Sequence, residues 1–125
     1  MSVMNPYQQY KHNQVQMAGN GTLVLMVYDA ILRNIRHARA AIEKKDMRGA
    51  NGSLIKAQDL ISELMFSLNF EAGEIAMGLY SLYDFSRLRL IQANVKKDLS
   101  MLEEVYAVIE SLRSGWSSVL NKENG

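Results

Sequence analysis

Apolar and small residues recur at alternating intervals of three and four positions in four successive stretches of the chain. An α-helix with 3.6 residues per turn brings such positions onto one side. The pattern therefore predicts four amphipathic helices that each turn one stripe toward a shared core. In chain order the stripes are Val24, Tyr28, Ile31, Ile35, Ala38 and Ile42; Leu54, Ala57, Ile61, Leu64 and Leu68; Ala72, Ala76, Leu79, Tyr83, Ser86, Leu90 and Ala93; and Leu102, Val105, Ile109, Leu112 and Trp116.

Neither proline nor a strand pattern interrupts these stretches. Pro6 is the only proline, and no six-residue stretch alternates apolar and polar positions. The links between the helices are short, which favours antiparallel neighbours, and the three–four spacing is typical of helices that cross at a shallow angle. We predict an all-α protein: an antiparallel up-down-up-down four-helix bundle at residues 21–122. A short N-terminal helical segment within residues 1–20 precedes it, and a frayed C-terminus at residues 123–125 follows.

Composition narrows the possible chemistry. The chain has 125 residues, of which 48% are hydrophobic and 22% charged, with no cysteine and a formal net charge of +1. The absence of cysteine excludes disulfides, cysteine-ligated zinc, iron–sulfur clusters and thiol nucleophiles. The balanced charge argues against nucleic-acid binding, because that needs several net cationic contacts to phosphate. The longest apolar run, residues 23–28, is too short to cross a bilayer, and no secretory signal opens the chain, so we expect a cytoplasmic protein without membrane insertion.

No catalytic constellation is recognisable. His37 is followed by Ala40 and Ala41, where phosphorelay transfer domains typically carry lysine and glycine. No glutamate has histidine three positions later, so the paired motif of di-iron bundles is missing, as are the phosphate-binding loop and the nucleophile elbow. We therefore expect neither enzyme activity nor a cofactor or metal.

The four stripes leave many large apolar residues unused. Small bundles bury more than one stripe and methionine often fills gaps, so single cases carry little weight. Taken together, however, the surplus apolar residues predict a surface that a partner covers. Ile55, Leu60, Phe66, Leu82, Phe85 and Leu88 are the candidate contact residues; the full surplus is Leu23, Leu25, Met26, Leu32, Ile55, Leu60, Met65, Phe66, Met77, Leu82, Phe85, Leu88, Ile91, Leu99, Met101, Tyr106 and Val108.

Several sequence blocks, in this order, resemble the flagellar secretion chaperones that bind flagellin. Two departures are the Gly-Asn-Gly-Thr entry to the first helix at residues 19–22 and Ala30, where the family commonly has glycine. The blocks are YQQY at 7–10, Val15, LVLMVYDA at 23–30, KAQDLISEL at 56–64, SL at 67–68, GEIA at 73–76, Leu79, LYDF at 82–85, AN at 93–94 and Trp116.

This resemblance implies a cytoplasmic chaperone that binds the C-terminal segment of flagellin, prevents premature polymerisation and aids delivery to the flagellar export gate. It also implies that residues 1–20 are a mobile cap over part of the binding surface, with Tyr7, Tyr10 and Val15 contacting the client. Permanent packing of the two tyrosines on the core is the alternative for that segment. For the whole chain, the alternative is a self-associating bundle, a homodimer or assembly component that uses the same apolar surplus.

Overall fold

The structure is a computed structural model that describes the backbone of residues 19–124 and the side chains of residues 21–121. Within that part of the chain it contains four α-helices, one 3₁₀ turn and no strand. The helices are α1 (Gly19–Glu43), α2 (Met47–Phe66), α3 (Glu74–Lys96) and α4 (Leu99–Asn124), and the 3₁₀ turn Phe70–Ala72 precedes α3. The predicted all-helical fold class is confirmed. The helical segment predicted ahead of the bundle lies outside the described residues, except that its last two residues, 19 and 20, form the start of α1.

The predicted stripes supply a single core. Val24, Ile42, Leu68, Leu79, Leu112 and Trp116, which complete the stripes, are partly buried against it. Burial of these side chains is the main favourable contribution to folding, at about 1.5–3 kcal/mol for each large one. The fully buried members are Tyr28, Ile31, Ile35, Ala38, Leu54, Ala57, Ile61, Leu64, Ala76, Tyr83, Ser86, Leu90, Ala93, Leu102, Val105 and Ile109.

Two assignments from the periodicity are wrong. Ala72 is exposed and belongs to the 3₁₀ turn, because Gly73 interrupts the helix with a φ of 71°, a conformation that side-chain-bearing residues rarely adopt. Asn69 begins that turn by accepting a hydrogen bond from the Glu71 backbone N–H. Leu32, counted as surplus, is buried in the core beside Ile31.

The connections α1–α2 and α3–α4 are two tight turns with the same geometry. The lysines Lys45 and Lys97 have φ angles of 64° and 52°, the left-handed conformation common just after a helix. An aspartate follows each lysine, and its side chain accepts backbone hydrogen bonds at the start of the next helix: Asp46 from Gly49, and Asp98 from Ser100. Each turn thus ends one helix and caps the next.

Each helix packs against two others, α1 and α3 each contacting α2 and α4. One buried hydrogen bond, 2.6 Å between the hydroxyl oxygens of Tyr28 and Tyr83, joins α1 to α3 across the core. Burial raises the pKa of the Tyr28 hydroxyl, and the hydrogen bond with Tyr83 offsets part of that rise.

Polar pairs on the outside link defined parts of neighbouring helices. Near the end of α1, Arg39 Nε lies 2.8 Å from Glu103 Oε1, near the start of α4. At the opposite ends of the same helices, Trp116 Nε1 donates to the Gly21 carbonyl at 3.2 Å. A Cβ on Gly21 would overlap the Leu120 side chain, so α1 and α4 approach closely at this point.

Candidate partner-binding surface

Helix α3 carries large apolar side chains on most of its circumference. The positions that it buries include the small residues Ala76, Ser86 and Ala93, so much of its apolar volume lies outside the core. More than half of the exposed large apolar residues in the described part of the chain belong to this one helix. We call the following set the α3 apolar surface: Ile75, Met77, Tyr80, Leu82, Phe85, Leu88, Ile91 and Val95.

The sequence-predicted contact residues of the third helix lie on this surface. Leu82 and Phe85 are each 41% exposed and Leu88 is 45% exposed. Because they follow one another at three-residue spacing, they wind gradually around α3 from one flank to the other. The Arg89 guanidinium stacks 5.7 Å from the centre of the Phe85 ring and also binds Glu104 of α4. Arg89 therefore restrains the Phe85 ring while leaving much of it accessible.

The predicted contact residues of α2 divide into two groups. Ile55 is exposed and Phe66 is 94% exposed, and their spacing of eleven residues places both on one side of the helix. Leu60, by contrast, is partly buried and packs against the core on a different side of α2. The structure therefore does not bring Leu60 together with Ile55 and Phe66. Tyr7, Tyr10 and Val15 lie outside the described residues.

Phe66 lines a cavity of about 380 Å³ between the end of α2 and the start of α3. The rings of Phe70 and Tyr80 meet on one wall with centres 5.8 Å apart. The one charged lining residue, Arg87, is held by Asp84 at 3.0 Å. The cavity is thus mainly aromatic with a single fixed cation, and its lining consists of Ser62, Met65, Phe66, Phe70, Tyr80 and Arg87.

Sequence reasoning missed several residues of this region. Phe70 belongs to a link too short for any periodic pattern, and the predicted apolar surplus leaves out Tyr80, Ile75 and Val95. The available signal was that α3 is apolar on nearly every side, which a helix needs only when it is covered all round. A surface of this kind is suited to binding apolar side chains from an extended or helical segment.

Other kinds of site are not found in the described part of the chain. Among residues 19–124, no group of three or more histidine or carboxylate side chains is placed to hold a metal ion. No helix in that range is long and apolar enough to span a membrane.

Comparison with known proteins identifies relatives over nearly the whole chain. The family model of the flagellar protein FliS matches residues 3–123. The flagellar secretion chaperone FliS of Bacillus subtilis (strain 168) is 42% identical over 123 residues, a match that covers 98% of this chain and 92% of the relative. The flagellar secretion chaperone FliS of Escherichia coli (strain K12) is 32% identical over 108 residues, covering 85% of this chain and 79% of the relative.

A solved structure described as a flagellar chaperone from bacteria has the same fold. It superposes with a TM-score of 0.80 over 93% of this chain and 95% of the other, at 17% identity. At that identity the superposition supports the fold, whereas the family model and the closer relatives establish the family. They also confirm the resemblance that the sequence blocks indicated, to chaperones and not to enzymes. The chain belongs to the FliS family of flagellar secretion chaperones.

Proposed function

We propose that this protein is a cytoplasmic export chaperone for flagellin. It binds the C-terminal segment of flagellin, prevents premature polymerisation and aids delivery to the flagellar export gate. The observation that carries the proposal is the α3 apolar surface, continued by Ile55 and Phe66, in a chain whose relatives are named flagellar secretion chaperones.

The physical basis is coupled folding and binding. A client segment that is disordered when free can form amphipathic helices and lay their apolar faces into grooves of the chaperone. Ordering that segment costs several kcal/mol, so the apolar area buried must be large. The α3 apolar surface runs along the length of one helix, and the Phe66 cavity extends it at one end. Such an elongated surface suits a client that contacts many weak sites in sequence.

We also propose that α1 to α4 run up-down-up-down, each antiparallel to the helix before it. Three contacts support it: Arg39 with Glu103, Trp116 with the Gly21 carbonyl, and Asn94 with Asn51 at 2.8 Å. Each joins the beginning of one helix to the end of another, as antiparallel neighbours require.

The two chain termini complete the proposal. Residues 1–20 act as a mobile cap, in which Tyr7, Tyr10 and Val15 cover part of the client surface while it is empty and contact the client once it binds. For residues 123–125 the prediction of a frayed end stays untested. The described backbone of α4 reaches Asn124.

The test is calorimetric titration with a synthetic peptide of the flagellin C-terminus. We expect one-to-one binding that weakens in the Phe85→Ser/Leu88→Ser variant by about three- to eightfold for each side chain, because burying the exposed two-fifths of each side chain contributes roughly 0.6–1.2 kcal/mol. Met26→Ser/Val119→Ser is the matched control, since both residues are exposed but lie on α1 and α4. Its affinity should stay within twofold of wild type.

A second variant addresses the N-terminal segment. Tyr7→Ala/Tyr10→Ala should weaken peptide binding while helicity and melting temperature stay unchanged. Parallel loss of helicity and binding would mean that the tyrosines are part of the core.

Self-association is the competing explanation of the same surface. Sedimentation at micromolar concentration separates the two, because the chaperone proposal expects the peptide to bind a chain with an accessible surface. A tight dimer that excludes the peptide, or wild-type protein that neither releases heat nor forms a complex with it, would overturn the proposal.

A further inference from the structure

The two lysine turns have the same sequence pattern as well as the same geometry. Residues 44–47 read Lys-Lys-Asp-Met and residues 96–99 read Lys-Lys-Asp-Leu. In both turns the aspartate N–H donates to a carbonyl five residues earlier, Asp46 to Ala41 at 2.8 Å and Asp98 to Ala93 at 3.1 Å. The repeated turn therefore presents two lysines, a capping aspartate and an apolar residue in the same order twice.

The two turns lie at the same end of the bundle. Asn94 in the last turn of α3 donates to Asn51 near the start of α2 at 2.8 Å. Arg39 near the end of α1 is paired with Glu103 near the start of α4. These links bring the ends of α1 and α3 beside the starts of α2 and α4. We call this region, residues 44–48 and 96–99, the lysine end.

Positive charge at the lysine end is only partly balanced. Asp46 and Asp98 are engaged as helix caps, and Glu103 and Glu104 are paired with Arg39 and Arg89. Lys97 is bent back onto Asn94, where its Nζ donates to Oδ1 at 2.7 Å. The remaining cations have no carboxylate within ion-pair distance among the described residues: Lys44, Lys45, Arg48 and Lys96.

Apolar side chains accompany these cations. Met47 is 42% exposed and Leu99 is 36% exposed, and each is the first residue of its helix. Both turns also have lysine at the positive-φ position where glycine is usual. The lysine end therefore combines a net positive charge with two separate apolar contacts, and it is formed by different residues from the α3 apolar surface.

We propose that the lysine end is a second docking surface, for a carboxylate-rich segment of another protein that also carries apolar side chains. Charge complementarity selects this occupant, because the unpaired cations attract carboxylates and speed encounter. Because Met47 and Leu99 offer apolar contacts, such a segment binds more tightly than a purely acidic one. The site is independent of the client surface, so the chaperone can hold a client and a second partner together.

The probes are two synthetic peptides of glutamate with leucine at helical spacing, one of them with every leucine replaced by serine. Fluorescence anisotropy at 0.05 M and 0.3 M NaCl measures their affinity for the full chain. The leucine peptide should bind more tightly than the serine peptide, and more weakly at high salt. Lys44→Glu/Lys96→Glu should weaken its binding at least tenfold, whereas Arg33→Glu/Lys56→Glu, with the same change in net charge, should stay within twofold.

A second variant tests the apolar contacts. Met47→Ser/Leu99→Ser should reduce the affinity for the leucine peptide to that for the serine peptide. Equal weakening by both charge variants, or equal binding of the two peptides by wild type, would overturn the proposal. So would binding of phosphatidylglycerol vesicles in place of the peptides, which would indicate a membrane surface.

The flagellin titration distinguishes this proposal from the function proposed above. Lys44→Glu/Lys96→Glu should bind the flagellin peptide as wild type does, and Phe85→Ser/Leu88→Ser should bind the acidic leucine peptide as wild type does. Loss of both activities in either variant would contradict two independent surfaces.

Discussion

At the scale of single residues, a specific polar contact between two helices lies in the described core of the bundle. Tyr28 and Tyr83 meet through their hydroxyl groups, and the centres of their rings lie 6.4 Å apart with the ring planes tilted by 54°. A buried hydrogen bond adds about 1 kcal/mol and fixes the relative position of its partners, because sliding either helix lengthens the bond. The Tyr28–Tyr83 contact thereby sets how α1 lies against α3.

The raised pKa of Tyr28 predicts a pH dependence of stability. The pKa of Tyr28 is higher in the folded protein than its ordinary value of 10.0. The neutral hydroxyl therefore contributes fully to the stability of the fold at pH values below 10.0. The contribution is lost as the pH rises through the folded-state value. Urea unfolding between pH 8 and 10.5 should show stability falling at the alkaline end.

Tyr28→Phe is the control for this effect. It should lower stability by about 1 kcal/mol at pH 8, because the hydrogen bond is lost, and it should flatten the alkaline decline. An equally steep decline in the variant would assign the effect to other groups.

The sequence predicted that both tyrosines are buried, because each lies on a helical stripe. It did not predict that their hydroxyl groups meet. Fifty-five positions separate them. Their contact depends on how α1 and α3 are placed across the core, which local spacing does not specify.

At the scale of secondary structure elements, the lysine turns are stabilised by their caps and strained at one position each. Lys45 has positive φ, a conformation that is unfavourable for residues with a Cβ and free of that penalty for glycine. Lys45→Gly should therefore raise stability by up to about 1 kcal/mol. The measurement is the free energy of unfolding in urea.

Lys44→Gly is the matched control, because it removes the same side chain and charge one position earlier, where φ is not positive. It should lower stability by about 0.5–1 kcal/mol through the added freedom of the unfolded chain. Equal effects of the two substitutions would show that the backbone conformation of Lys45 is not strained.

The sequence predicts the four helices, but it does not predict where α3 begins or which side of α3 is exposed. The predicted third stripe extends back to Ala72 because alanine fits a buried position, but Asn69 and Gly73 shape a separate 3₁₀ turn there. In α3, periodicity marks the buried stripe correctly. It does not show which of the remaining apolar residues are exposed, since that depends on how much volume the neighbouring helices leave.

At the scale of the whole molecule, apolar and charged surfaces are separated. The α3 apolar surface follows one helix and meets the Phe66 cavity, and the lysine end contains most of the described cations that have no carboxylate partner. The sequence predicted an apolar surplus and placed Leu82, Phe85 and Leu88 within it. The prediction places Leu60 in the same set because sequence alone does not resolve which flank of α2 a neighbouring helix covers. The charge separation depends on how the turns are brought together, so no single segment reveals it.

The central claim is that the exposed apolar side chains of α3 are removed from water when the client binds. The most direct test is the heat-capacity change of binding, measured by titrating the flagellin peptide at several temperatures. We predict a strongly negative value, on the order of −0.4 kcal/mol/K for each ~1,000 Å² of apolar surface buried. A heat-capacity change near zero would contradict this account.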